Sequence, residues 1–265
     1  MTPDTIRVLI SIGVVMMLVL LRLEAGRFGA AEYDEPGRRR GVWTRLSWYT
    51  IGGLLLAALF VVHPSPHDTL MLVVGRRQEA LVLGSGLAVL GVAQAAAFAR
   101  FRYGYLRLPG LRSYPNAAVN AIGTAIIDEA VFRGAILGSL LALGLPSFGA
   151  VLEVTIFYIL VTRLAAPGRH IYMPLLAAAM GLAFGWATVV TGGLGAAIVG
   201  HAVTSFAVFV FTGHPGQVPL TGREPEEIEH RKAVPEGWQD ARRPGLPGRG
   251  TEPKGMPAAG PEDRR

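Results

Sequence analysis

Apolar residues are grouped into seven stretches that are separated by short polar segments. The stretches cover residues 8–21, 46–62, 80–99, 115–141, 148–162, 171–190 and 194–211. A helix needs roughly 20 mostly apolar residues, within a range of about 17–25, to cross a bilayer. The pattern therefore predicts an all-α, polytopic integral membrane bundle of about seven transmembrane helices over residues 1–212. A shorter apolar piece at 69–74 fits a re-entrant or interfacial segment.

The composition agrees with a protein that is surrounded by lipid. Hydrophobic residues make up 51% of the chain and charged residues 17%, and the mean hydropathy is +0.40. A soluble domain carries about a quarter charged residues, so this chain cannot coat its surface with charge. Residues 213–265 are different, because they are rich in Pro, Gly, Glu and Arg. We expect them to form a disordered tail, since they contain too little apolar surface to offset the entropy of folding.

The charges predict an orientation and exclude one class of partner. The net charge is +6, scattered among the apolar stretches, whereas a nucleic-acid-binding protein gathers basic residues on one face. Positive loops at 22–45, 100–112 and 163–170 predict a multi-pass protein of the cell membrane with a cytoplasmic C-terminal tail. Membrane lipid is the expected partner, and Arg7 and Arg22 are expected to extend outward toward the membrane surface. The absence of cysteine excludes disulfides, thiolate metal sites and cysteine nucleophiles.

Five ionisable side chains fall inside the apolar stretches, namely Asp128, Glu129, Arg133, Glu153 and His201. Each costs on the order of 2.5–3.5 kcal/mol to insert into a bilayer. Such residues are retained when they are paired or when they serve a function. They are therefore the candidates for a functional site.

The acidic pair lies in a helix that also carries Arg133. Glu129 and Arg133 are four residues apart, so they can neutralise each other, and this pair has either a structural or a functional role. Asp128 lies about 100° around the helix from Glu129. It continues a polar stripe formed by Asn116, Asn120 and Thr124 that should face the bundle interior. A carboxylate there is a candidate general base or metal ligand.

His201 follows a Thr191-Gly192 turn and precedes Ser205 by one helical turn. A single His in an apolar helix is commonly held by a hydrogen bond to a neighbour. Ser205 is placed to share that partner or to orient the imidazole ring. In combination with the acidic pair, His201 becomes a candidate catalytic residue.

These motifs resemble those of a known family. The heptapeptide at 128–134, DEAVFRG, together with the Thr-Gly turn before His201, is similar to the pattern of the CPBP family. These are intramembrane endopeptidases of the CAAX-protease and bacteriocin-processing type, and the resemblance covers about 115–212. It implies an all-helical protease in which a carboxylate and a His activate water. It also allows a divalent metal such as zinc, with Asp128 and His201 as ligands.

The chain departs from the family pattern at three positions. Asp128 replaces the first Glu, Val161 stands where the second motif has His, and Ser205 replaces Asn or Asp. A valine side chain neither binds metal nor transfers a proton, and zinc in a catalytic site normally has three protein ligands. Glu153, two turns before Val161, is a possible substitute for the missing group. Its alternative role is a hydrogen bond to a neighbouring helix.

The sequence therefore predicts an intramembrane endopeptidase that hydrolyses membrane-embedded or lipidated protein segments. In this prediction Asp128 or Glu129 is the general base, His201 holds water or metal, and Arg133 positions the acidic pair. One alternative is a family member that has lost catalysis and binds membrane partners as a scaffold. The other is a transporter-like bundle in which the acidic residues and His201 relay protons.

Overall fold

The computed structural model describes residues 2–28, 42–103, 107–108, 114–162, 172–212 and 239–240. Its helices are α1 (Pro3–Leu23), α2 (Val42–Val62), α3 (Pro66–Thr69), α4 (Arg77–Tyr103), α5 (Tyr114–Glu129), α6 (Leu137–Ala142), α7 (Ser147–Val161), α8 (Tyr172–Thr191) and α9 (Gly195–Thr212). A 3-10 turn at Ala25–Phe28 follows α1, and a π-helical segment at Ala130–Ile136 joins α5 to α6. The predicted all-α class is confirmed.

The β-structure in the described residues is one short antiparallel pair. Arg107–Leu108 (β1) pairs with Gln239–Asp240 (β2). Apart from β2, the segment 213–265 lies outside the described residues, so its disorder and its cytoplasmic location stay predictions. The boundary between a membrane domain at 1–212 and a separate tail also stays a prediction.

Within the described residues, four helices are long and apolar enough to cross a membrane, at Pro3–Leu23, Trp43–Val62, Arg77–Phe101 and Pro174–Thr191. The protein is therefore a multi-pass membrane protein, but the predicted number of seven spans is not confirmed. The helix α7 has 15 residues and is about 22 Å long, which is shorter than the roughly 30 Å hydrocarbon core. The stretch from α5 to α6 is not one continuous α-helix, because the π-helical segment divides it. It also carries buried charged side chains.

Sequence features at its first residues explain where α1 begins. The Thr2 side chain accepts a hydrogen bond from the Thr5 backbone N–H at 3.3 Å, which satisfies a helix donor that has no partner within the helix. Pro3 occupies the first helical position, where its missing N–H costs nothing. Large apolar side chains, such as Leu9 at 53% exposure, then cover the outer face. Exposed apolar side chains of this kind are expected where a helix contacts lipid.

The core is built around the π-helical segment and α9. The segment contributes Val131 and Phe132, which are at most 1% exposed, to an apolar cluster with Val154 and Tyr158 of α7. The helix α9 packs against α4, α5 and α8. Elements that carry the candidate residues therefore lie at the centre of the bundle.

A non-helical segment between α3 and α4, residues 70–76, packs against these central elements. The Met71 N–H donates to the Gly134 carbonyl at 3.1 Å, and the Leu194 N–H donates to the Val73 carbonyl at 2.7 Å. Non-helical backbone is tolerated in a membrane protein where it is buried against other protein groups. The re-entrant or interfacial segment expected at 69–74 therefore forms hydrogen bonds with two elements. These are the π-helical segment that follows the acidic pair and the residue that precedes α9.

Glycine at position 138 permits the close approach of this segment. A Cβ atom added at Gly138 would lie 2.5 Å from the Thr69 carbonyl oxygen, whereas one at Gly149 would meet nothing within 4 Å. We predict that Gly138→Ala lowers the free energy of unfolding by about 1–3 kcal/mol because of overpacking. Gly149→Ala should leave it unchanged or slightly higher, because alanine favours helix. Thermal unfolding in detergent measures both, and equal shifts in Tm would contradict the proposed contact.

Candidate active site

The carboxylate of Glu129 and the imidazole of His201 are in direct contact. His201 Nδ1 lies 2.7 Å from Glu129 Oε1, and Arg133 Nη1 lies 3.2 Å from the same oxygen. The side chains of Glu129, Arg133 and His201 are 0%, 1% and 6% exposed. The structure thus brings together three of the predicted site residues in one buried cluster, which we call the Glu-His-Arg cluster.

Aromatic rings enclose this cluster. Phe184 of α8 stacks on the His201 ring, with centroids 5.7 Å apart and an interplanar angle of 18°. Tyr158 of α7 meets the same imidazole edge to face, and the Arg133 guanidinium carbon lies 4.7 Å from the Tyr158 ring centroid. Contacts of this kind contribute about 0.5–1.5 kcal/mol each. They fix the imidazole plane and shield the charged groups from lipid.

A change of helix type occurs directly after Glu129. The π-helical segment Ala130–Ile136 contains Arg133 and Gly134. The Gly134 carbonyl accepts its hydrogen bond from Met71 of the 70–76 segment. Short π-helical insertions are found frequently at functional sites. Here the insertion leaves Arg133 on the same side of the helix as Glu129, within hydrogen-bond distance.

Asp128 contacts a different part of the bundle. Its Oδ1 atom lies 2.7 Å from Nε of Arg22, and the two side chains are 0% and 4% exposed. The expectation that Arg22 extends outward to the membrane surface is therefore wrong. Trp48 of α2 donates from Nε1 to the Leu21 carbonyl at 3.0 Å, which holds the end of α1 in place beside this pair.

The described residues do not provide the donors of a metal centre. Among them, no group of three or more His, Cys, Asp or Glu side chains is placed to hold a metal ion. The proposed ligands Asp128 and His201 have the partners Arg22 and Glu129, respectively. A catalytic zinc ion normally takes three protein ligands, so this donor set does not fit one.

The remaining candidate positions differ in location. Glu153 is exposed on α7 and does not join the buried cluster as the substitute suggested by its spacing. Val161 is 6% exposed and packs in the apolar core. Ser205 lines the same cavity as His201. Thr124, of the predicted polar stripe, is buried at 3% exposure and also lines this cavity.

A cavity of about 140 Å³ lies between α4, α5, α8 and α9. Its inner end is formed by side chains that include Thr124, Arg133, Tyr158, Phe184 and His201, and its outer end by Phe98, Leu176 and Phe209. From His201 to Phe209 is eight residues of α9, or about 12 Å along the helix. Glu129 is fully buried behind this wall, so His201 is the member of the contacting pair that faces the cavity.

Sequence reasoning missed the partners Arg22, Tyr158 and Phe184. Arg22 carried a usable signal, because an arginine at the end of an apolar stretch can pair with an acid on another helix. The aromatic residues carried none, since many similar residues lie in the same apolar stretches. Their roles depend on which helices become neighbours.

The Arg22–Asp128 pair should be important for stability. We predict that Arg22→Ala or Asp128→Ala costs about 3–5 kcal/mol, because each leaves a buried charge without its partner. The joint change Arg22→Met with Asp128→Leu should restore much of this loss. Denaturant unfolding in detergent measures the free energies.

Arg27→Ala is the matched control for these variants. Arg27 pairs with Glu24, but these side chains are 77% and 44% exposed, so its loss should cost less than about 1 kcal/mol. Equal losses for Arg22→Ala and Arg27→Ala would contradict the role given to the buried pair.

Comparison with known proteins relates the chain to one family. Residues 110–207 match the model of the family described as type II CAAX prenyl endopeptidase Rce1-like. The matched range contains all three residues of the Glu-His-Arg cluster. No curated protein and no solved structure matches the chain. Over residues 110–207 the chain is therefore similar to the Rce1-like type II CAAX prenyl endopeptidases, which confirms the resemblance to the CPBP family drawn from its motifs.

Proposed function

We propose that the protein is an intramembrane endopeptidase that cleaves membrane-embedded or lipidated protein segments. The family match supports a protease of this general class. The observation that carries the proposal is the 2.7 Å contact between Glu129 and His201 at the wall of a cavity. A carboxylate that orients an imidazole is a recurring arrangement for activating a nucleophile.

His201 is the base in this proposal, and Glu129 orients it. Glu129 Oε1 accepts a hydrogen bond from Nδ1–H, which assigns the ring to the tautomer whose Nε2 is unprotonated. Nε2 then takes a proton from a water molecule as the water oxygen attacks the scissile carbonyl carbon. The Glu129 carboxylate stabilises the imidazolium that forms. The imidazolium returns the proton to the leaving amine as the C–N bond breaks.

Arg133 has a supporting role in this scheme. Its guanidinium, 3.2 Å from Glu129 Oε1, keeps the carboxylate ionised and in position within a low-dielectric environment. This differs from the sequence-based expectation in two respects. The carboxylate acts through the imidazole, and Asp128 holds the fold together through Arg22.

The scheme contains no step on a metal ion, because the donor set does not fit one. We therefore expect peptide cleavage to be retained after treatment with a chelator and dialysis. The measurement is the cleavage rate before treatment, after treatment, and after addition of zinc. A rate that falls with the chelator and returns with zinc would contradict the assignment of His201 as the base.

A second candidate is a non-catalytic member of the family that binds membrane proteins. Two observations favour it: Val161 occupies the second-motif His position in the apolar core, and the Asp128 carboxylate is paired with Arg22. The proton-relay alternative has less support, because Glu153 is exposed and apart from the buried cluster.

Substitutions at the contacting pair test the enzymatic proposal. Purified protein in lipid nanodiscs is offered a library of tagged membrane peptides, and cleavage is followed by mass spectrometry. We predict that His201→Gln lowers the cleavage rate by about 10²–10⁴-fold, the contribution typical of a general base. Glu129→Gln should lower it by about 10²-fold or more, because the ring loses its orienting charge.

Glu153→Gln is the matched control, since it removes an exposed carboxylate and should leave the rate unchanged. Cleavage that persists in the His201→Gln variant would reject the proposed base. If folded wild-type protein retains the peptides without cleaving them, the non-catalytic candidate is favoured.

A further inference from the structure

The cavity next to His201 is amphiphilic along its length. The inner end carries Arg133, His201 and Thr124. Toward the outer end the walls are mostly apolar, with side chains that include Ala121, Ala177, Met180, Leu176 and Phe209. Such a shape suits a molecule with one polar end and an apolar chain.

Arg133 has hydrogen-bond donors without an acceptor in the part of the chain that the structure describes. A guanidinium has five N–H groups, and Nη1 contacts Glu129. Nε and Nη2 are buried and have no hydrogen-bond partner among the described residues, and the side chain is 1% exposed. Buried polar groups normally have partners, and each exception calls for an explanation. A ligand in the cavity that accepts hydrogen bonds from Nε and Nη2 explains this exception.

The unpartnered Nη2 group lies close to the cavity wall at Gly181. Gly181 lines the cavity, and a Cβ atom added there would lie 3.3 Å from Arg133 Nη2. Because residue 181 is glycine, no side chain at this position of α8 stands between the cavity and the guanidinium. Nε and Nη2 also share one edge of the guanidinium, and a carboxylate binds this edge through two parallel hydrogen bonds.

We infer that the cavity binds a carboxylate attached to an apolar chain, with the carboxylate on Arg133 and the chain directed toward Leu176 and Phe209. A membrane fatty acid has this chemistry, and so does the free C-terminus of an apolar peptide. The ligand carboxylate would be a second negative charge beside Glu129, and protonation of His201 balances it. The two negative groups, Glu129 and the ligand, then face two positive groups, Arg133 and His201. The inference concerns binding and does not depend on peptide hydrolysis.

Binding is measured with the full chain in nanodiscs. Labelled dodecanoate is the probe, and dodecanol is the comparison with the same chain and no charge. We expect dodecanoate to bind at least 10-fold more tightly, because only the carboxylate accepts charge-assisted hydrogen bonds from Arg133. Equal affinity for the acid and the alcohol would overturn the inference.

A pair of variants on α8 tests the location. Ala177 lines the cavity, whereas Ala179 on the same helix is exposed. Ala177→Phe should fill the cavity and weaken dodecanoate binding at least 10-fold, and Ala179→Phe should leave the affinity unchanged. An unchanged affinity in Ala177→Phe would place the fatty acid elsewhere and contradict the inference.

The role of Arg133 requires a variant that still folds. Arg133→Gln alone leaves the Glu129 carboxylate buried without its cation, so the double variant Glu129→Gln with Arg133→Gln removes both charges together. This variant should lose the preference for dodecanoate over dodecanol while its Tm confirms that it is folded. A preference that persists in the folded double variant would contradict the proposed contact.

Competition distinguishes the two sources of the carboxylate. An apolar tetrapeptide with a free C-terminus and its C-terminal amide are added against labelled dodecanoate. Displacement by the acid form alone indicates that peptide C-termini also use the site, and displacement by neither form assigns it to fatty acids. Displacement by both forms equally would contradict recognition through the carboxylate. None of these experiments measures peptide cleavage. The binding result therefore stays valid even if the proposed peptidase activity is not found.

Discussion

The structure depends on how buried charges are neutralised inside an apolar bundle. Glu129 sits at the centre, with Arg133 and His201 on the same oxygen atom. In a low-dielectric environment these attractions are strong, but an unpaired member is costly. The helices that carry them must therefore pack in one arrangement. Rings from α7 and α8 close around the cluster and exclude lipid.

Adjacent carboxylates have separate roles for a geometric reason. Asp128 and Glu129 are consecutive on a helix, so their side chains point about 100° apart. One reaches α1 through Arg22, and the other reaches α9 through His201. Among the described helices, the acidic dipeptide therefore connects the first, α1, with the last, α9, through α5. In the proposed mechanism, its structural and chemical roles are divided between these neighbouring residues.

Much of this could be predicted from the sequence, because the rules that govern it are local. The length of the apolar stretches predicts membrane helices, and the four-residue spacing predicts that Glu129 meets Arg133. The partner of each carboxylate could not be predicted, since it depends on which helices become neighbours. The π-helical segment after Glu129 also left no clear pattern. Counting apolar stretches gave more spans than the length criterion supports, because α7 and the Gly195–Phe211 part of α9 have fewer than 18 residues. The stretch at 115–141 is in addition divided between α5, the π-helical segment and α6.

The proposed catalysis and the inferred binding use different atoms of the Glu-His-Arg cluster. In the proposed reaction the working atoms are those of the His201 ring and the Glu129 carboxylate, whereas the inferred ligand contacts Nε and Nη2 of Arg133. Replacement of the second-motif histidine by Val161 removes a group from the chemistry but leaves these donors and the cavity intact. If both proposals hold, a protein of this architecture can lose peptide hydrolysis and still bind the inferred amphiphile. Binding measurements and cleavage measurements consequently report on separable properties of one site.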